Sequence, residues 1–158
     1  MANTQSMCTS FMGELMTATH NFGTAPTRGT STADTFKAAL YLTTATVNAS
    51  TTAYSATNEV SGTNYTAGGV SISGWNAPTA TNTSSTAGVA FTTPTASITY
   101  TSVTLSTAFD CVLIYNSTQS NKAVSVHTFG SQTITAGTFT LTMPSNTTST
   151  ALLRLSTT

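Results

Sequence analysis

From Phe36 onward, apolar residues recur at every second position. Phe36, Ala38 and Leu40 begin the pattern, and Val103/Leu105, Cys111/Leu113/Tyr115, Val124/Val126 and Phe139/Leu141/Met143 continue it. Successive side chains of a strand point to opposite faces, so this period of two is the sequence form of a half-buried strand, and a helix would need a period near 3.6. Short strands are expected at 36–41, 70–73, 88–92, 97–106, 110–116, 123–128, 132–135, 138–143 and 151–155. Ala136-Gly137 reads as a tight hairpin turn between two of them, residues 48–69 as turn-rich, and residues 76–87 as a long polar loop. The expected fold class is all-β: an antiparallel β-sandwich of jelly-roll or Greek-key type with a short N-terminal helix. No repeat of fixed period points to a solenoid.

The residues between the apolar ones say what kind of surface this is. Thr occurs 40 times and Ser 20 times among 158 residues, whereas charged residues make up 5% against a usual ~25%. Thr is β-branched and suits a pleated outer face. Four basic and four acidic residues leave a formal net charge of zero, which excludes the basic stripe that nucleic-acid binding requires. A freely diffusing domain usually keeps away from zero net charge, so a neutral hydroxyl surface suits a subunit that works inside an assembly. No run of 18 apolar residues and no charged start followed by an apolar segment is present, so neither a membrane span nor a signal peptide is expected, and synthesis in a cytoplasm is. Five Asn-x-Ser/Thr triplets are the chance product of a Ser/Thr-rich chain.

The chain length allows one domain, read as an N-terminal amphipathic arm at 1–23, a linker at 24–35 and the sandwich at 36–158. In the arm, Met7, Phe11 and Leu15, with Met12 and Met16 beside them, recur at helical spacing. This stripe either covers its own sandwich or docks on a partner, for which Met-rich faces are suited. Trp75, after Gly74 and near Pro78, is the one aromatic read as a loop residue and hence as a stacking platform for a ligand. Tyr41, Tyr100 and Tyr115 fall at alternating strand positions and read as sheet residues.

Chemistry-bearing motifs are sparse. Gly68-Gly69 has neither the lysine nor the spacing of a phosphate loop and reads as a turn before a strand. His20, His127, Cys8 and Cys111 have no metal-ligand spacing, the cysteines read as free thiols, and His127 reads as solvent-side or capping a loop. Glu59 and Asp110 could be counted as a glycosidase pair, but Asp110 at the start of an apolar strand reads better as an ion pair with Lys122 across the next turn. No catalytic residue, metal or cofactor is expected.

Several stretches carry a resemblance: residues 8–22 (CTSFMGELMTATHNF), 35–47 (TFKAALYLTTATV), 51–72 (TTAYSATNEVSGTNYTAGGVSI) and 109–144, with CVLIYNST, NKAVSVHTFG and TITAGTFTLTMP. They resemble a family of small virion structural proteins of tailed bacteriophages, among them capsid cement and decoration components with β-sandwich or jelly-roll cores. The likeness spans most of the chain and is weakest between residues 74 and 108. It departs at Phe129-Gly130, where Ser131-Gln132 stand in place of an acidic residue. The resemblance implies a capsid cement or decoration protein on the outer surface of a virion head, binding across capsomer seams. Its partners would be the major capsid protein and copies of itself, as a dimer or trimer. The alternative is a glycan- or receptor-binding module on a tail or head appendage. Met7, Phe11, Met12, Leu15, Met16 and Trp75 are the candidate partner-binding residues.

Overall fold

The computed structural model describes residues 3–16, 18–22, 32–83 and 86–156; most of the expected linker, residues 23–31, and the Met16 side chain lie outside the described residues. The chain is nearly all β, with strands β1 (Ser6–Met7), β2 (Phe36–Leu42), β3 (Val70–Ser71), β4 (Thr79–Thr83), β5 (Thr86–Thr92), β6 (Ile98–Asn116), β7 (Lys122–Leu141) and β8 (Leu153–Ser156), and one helix, α1 (Thr9–Met16). Two antiparallel sheets form a sandwich-like arrangement, a five-stranded sheet of order β1-β7-β6-β2-β3 and a three-stranded sheet of order β4-β5-β8.

The long hairpin β6–β7 is the axis of the fold, and it joins what the alternation reads as five separate strands. Ala136-Gly137 is not a hairpin turn. Ala136 does take the left-handed conformation that a turn requires, at φ 46°, but it lies inside β7, where the register with β6 shifts near Ser102 (φ 53°). Left-handed residues within paired strands make bulges that bend and twist the ladder without ending it. The actual reversal lies at residues 117–121, where Ser120 and Asn121 have positive φ. The polar stretch 76–87 also differs from expectation, since β4 lies within it and pairs with β5. Its Thr-rich sequence lacks apolar alternation, which hides an exposed strand from that signal.

At the centre of the large sheet both faces are buried, where the alternation implies only one. Leu40, Val112 and His127 form one cross-strand row and Ala39, Leu113 and Val126 the next, on the opposite face. Leu40, Leu113, Val126 and Phe109 have no measurable exposure. Helix α1 packs on β7. It ends at Met16, well before the end of the expected arm at residue 23, because Ala18 adopts φ 55°. Thr19 N then donates to Glu14 O at 2.9 Å and Ala18 N to Leu15 O at 3.1 Å, the paired hydrogen bonds of a Schellman cap. Met7 precedes the helix, in β1, where it pairs with Ser125 of β7.

Candidate functional site

The N-terminal stripe packs mainly on the chain's own core. Phe11 is 2% exposed, Met7 and Leu15 are half-buried against the core cluster, and Met12 is turned outward at 46% exposure. Trp75 is half-buried too. Its ring makes T-shaped contacts with Phe22 at 4.8 Å and Phe36 at 5.4 Å between centroids, so it belongs to an aromatic cluster of the chain itself. Its indole nitrogen is buried without a hydrogen-bond partner.

The most organised polar group was legible only residue by residue. Glu59, 9% exposed, accepts hydrogen bonds from the Tyr54 hydroxyl at 2.6 Å, the Tyr65 hydroxyl at 2.7 Å and the Gly68 amide at 2.8 Å. A buried carboxylate persists only with such donors. All five tyrosines of the chain gather here. Tyr41 donates to Ser55 O at 2.5 Å, Tyr100 to Ala38 O at 2.8 Å and Tyr115 to Gly68 O at 2.8 Å. Tyr54 stacks on Tyr115, and Tyr65 on Tyr100. Burial first, and the Glu59 carboxylate after it, push the Tyr115 hydroxyl up to about 12 and those of Tyr54, Tyr65 and Tyr100 further above the phenol range. These phenols therefore act as proton-bearing donors at any ordinary pH. Gly69, at φ 70°, lies so close to β2 that a Cβ there would stand 1.7 Å from Ala38 O. The Gly-Gly pair is thus a turn, and it lets the loop preceding β3 press against the sheet.

The expected Asp110–Lys122 ion pair does not form. Lys122 Nζ instead lies 2.6 Å from Glu14 Oε1, and Asp110 accepts from Asn3 Nδ2 at 2.6 Å. Both partners come from the N-terminal arm, more than 100 residues away in sequence, beyond the reach of local pairing. Glu14 also meets His20 Nε2 at 2.7 Å, and His20 Nδ1 faces Asn116 Nδ2 at 3.0 Å. Asn116 Nδ2 reaches Asp34 Oδ2 at 2.7 Å, and Asp34 also accepts from the Asn21 amide and Gln119 Nε2. Burial pushes the Glu14 carboxyl upward, but the hydrogen bonds and charges of Lys122 and His20 outweigh it and hold the pKa below the ordinary carboxylate value. The cluster ties α1, the residues before β2 and the β6–β7 turn together.

Every carboxylate of the chain is therefore engaged by its own neighbours, and Glu59 and Asp110 each anchor a loop or arm. The thiols are inert by burial: Cys8 is pushed up to about 11 and Cys111 to about 12, with nearby Glu14 and Asp110 adding to each. His127 is not solvent-side. It is half-buried beside a cavity of about 270 Å³ lined by Ile98, Val112, Phe139 and Met143 among others, with Nε2 2.9 Å from Ser125 Oγ. Burial lowers its pKa to about 4. Among the described residues no three His, Cys, Asp or Glu side chains come together as a metal site, and no helix is long and apolar enough to cross a membrane.

A further surface is the outer edge of β7. Beyond Val126, where β1 ends its pairing, residues 128–141 pair with β6 on one side only. A signal was present: no Asp, Glu, Lys or Arg occurs between Lys122 and Arg154. No family model, no curated protein and no solved structure matches this chain.

Proposed function

We propose that this chain is a structural component of a tailed-phage virion, a capsid cement or decoration protein that binds across capsomer seams on the outside of the head. One observation carries the reading: all four side-chain carboxylates and Lys122 are engaged by other groups of the fold, so the described exterior carries few charges, Arg154 among them, and is dominated by Thr and Ser hydroxyls. Such a surface gives little long-range repulsion and many short-range donors and acceptors, which suits a subunit held by neighbours over broad contacts. The side-chain resemblance to small virion proteins points the same way. Trp75, packed against the stacked pair Phe22 and Phe36, gives the glycan-binding alternative no support.

The test is to count the chain in purified particles by quantitative mass spectrometry and to locate it in a density map. Hundreds of copies on the head surface, with particles lacking it losing heat resistance, is the expected result. A dozen or fewer copies at the tail would overturn it in favour of the appendage module, and absence from the particle would overturn both.

A further inference from the structure

Phe129 and Phe139 would stand roughly 33 Å apart along an extended strand, yet their rings lie 5.3 Å apart between centroids and both meet Phe109 of β6. The far half of the β6–β7 hairpin therefore folds back over the near half, through the register shifts between Val103 and Cys111. In the crease lies the cavity of about 270 Å³ beside His127. The deep part of its wall is apolar, with Ile98, Val112 and Ile114 all buried. Its outer part carries the exposed polar residues Gln132, Thr140 and Thr142. None of the described residues lining it is charged. Packed interiors leave few voids larger than a water molecule, and an apolar cavity of ~150 Å³ already holds a benzene ring. A volume of about 270 Å³ has room for one ring or two fused ones.

His127, the cross-strand neighbour of Val112, adds a polar group to this wall. Ser125 Oγ holds its Nε2 at 2.9 Å, and among the described residues no group bonds to Nδ1. Burial keeps the ring neutral at ordinary pH. A neutral imidazole donates or accepts at Nδ1 according to its tautomer, and a hydroxyl answers either one. A carboxylate could only accept, and it would bring a charge into a wall that has no cation to meet it; an ammonium would find no carboxylate there. The rings of Phe129 and Phe139 and the thioether of Met143 line the same space, and both kinds of group favour an aromatic neighbour. We propose that the crease is a binding site for a small neutral aromatic alcohol of one or two rings, its body between Ile98, Phe129 and Phe139 and its hydroxyl on Nδ1 of His127. The site is independent of the virion reading, since it needs no neighbouring subunit.

The probe is 2-naphthol, titrated into the full chain near neutral pH and followed by calorimetry and by the NMR shifts of the Ile98, Val112 and Leu141 methyl groups. A Kd on the order of 100 µM suits a ligand of this size, with shifts concentrated in those methyls. The anion 2-naphthoate should bind at least about tenfold more weakly, because its charge goes unmet. His127→Phe should weaken 2-naphthol about tenfold by removing the polar anchor. Met143→Trp, which fills the cavity from its partly exposed side, should abolish binding with an unchanged circular dichroism spectrum. No binding at about 2 mM, shifts confined to other parts of the chain, naphthoate binding as tightly as naphthol, or a Kd indifferent to either substitution would each overturn the proposal. If His127→Phe unfolds the chain, the imidazole nitrogens of wild type decide. An Nδ1 resonance that moves on saturation with 2-naphthol supports the anchor, and one that stays in place overturns it.

Discussion

Removing the acceptor at the centre of the tyrosine cluster is the sharpest test of how this fold is held. Glu59→Leu keeps approximate volume but leaves the Tyr54 and Tyr65 hydroxyls and the Gly68 amide without their acceptor. Hydrogen bonds to a charged group contribute about 1.5–3 kcal/mol each, and a buried donor left unmade costs about 1–3. The simple sum overshoots, because the carboxylate's own desolvation is relieved and Tyr65 keeps its contact with the Leu40 amide. A loss of about 4 kcal/mol is expected for Leu. Glu59→Gln retains one acceptor oxygen and turns an amide donor toward one phenol, so about 2 kcal/mol is expected. With an unfolding entropy near 2.1 cal/mol/K per residue, those losses lower Tm by about 12 and about 6 °C. Thermal and urea unfolding by circular dichroism, with the single Trp75 as a fluorescence reporter, measures both. Tyr54→Phe alone and combined with Glu59→Gln completes a double-mutant cycle with an expected coupling of about 1 kcal/mol. If Leu costs no more than Gln, or the coupling vanishes, the cluster does not hold the loop as argued.

Gly69→Ala should cost several kcal/mol or prevent folding, since its Cβ would collide with Ala38 O, whereas Gly130→Ala, with nothing within 4 Å, should leave Tm within about 2 °C. Stability should fall as pH drops from 6.5 to about 4, because the unfolded chain protonates His127 in that range and the folded chain does not. Tm measured against pH should show this slope, and His127→Phe should flatten it. A second loss should follow below about 4.5, as the Glu14 carboxylate, depressed in the folded state, takes up its proton; Lys122→Met should shrink this step. Both cysteines should resist a thiol reagent at pH 8 in the folded chain and react in urea, and labelling of the native chain within minutes would contradict their burial.

Much of the fold was legible because its signal is local. Apolar residues at every second position mark extended chain, so β2, β6 and β7 could be read from Phe36/Ala38/Leu40, Cys111/Leu113/Tyr115 and Val124/Val126, although these segments are buried on both faces. The helical spacing of Phe11 and Leu15 likewise announced α1. Where the side chains give no alternation the reading failed: β4 carries Thr-Ala-Thr-Asn-Thr and looks like a loop. The turn read at Ala136-Gly137 also failed, since both residues lie inside β7. Ala136 adopts the turn-like backbone, but whether a left-handed residue reverses a chain or bulges a strand depends on the strand paired beside it.

The amino-acid order by itself determined an all-β chain with a neutral, hydroxylated exterior, since periodicity and composition need no knowledge of which segments meet. Only the tertiary structure decided which groups answer which. Lys122 meets Glu14 and not Asp110, Asp110 meets Asn3, and five tyrosines scattered from residue 41 to residue 115 converge around Glu59. Burial makes an unpartnered charge expensive, so each acid must find a donor. Nothing along the chain names the donor, because it is brought there by the folding of residues up to about a hundred positions away.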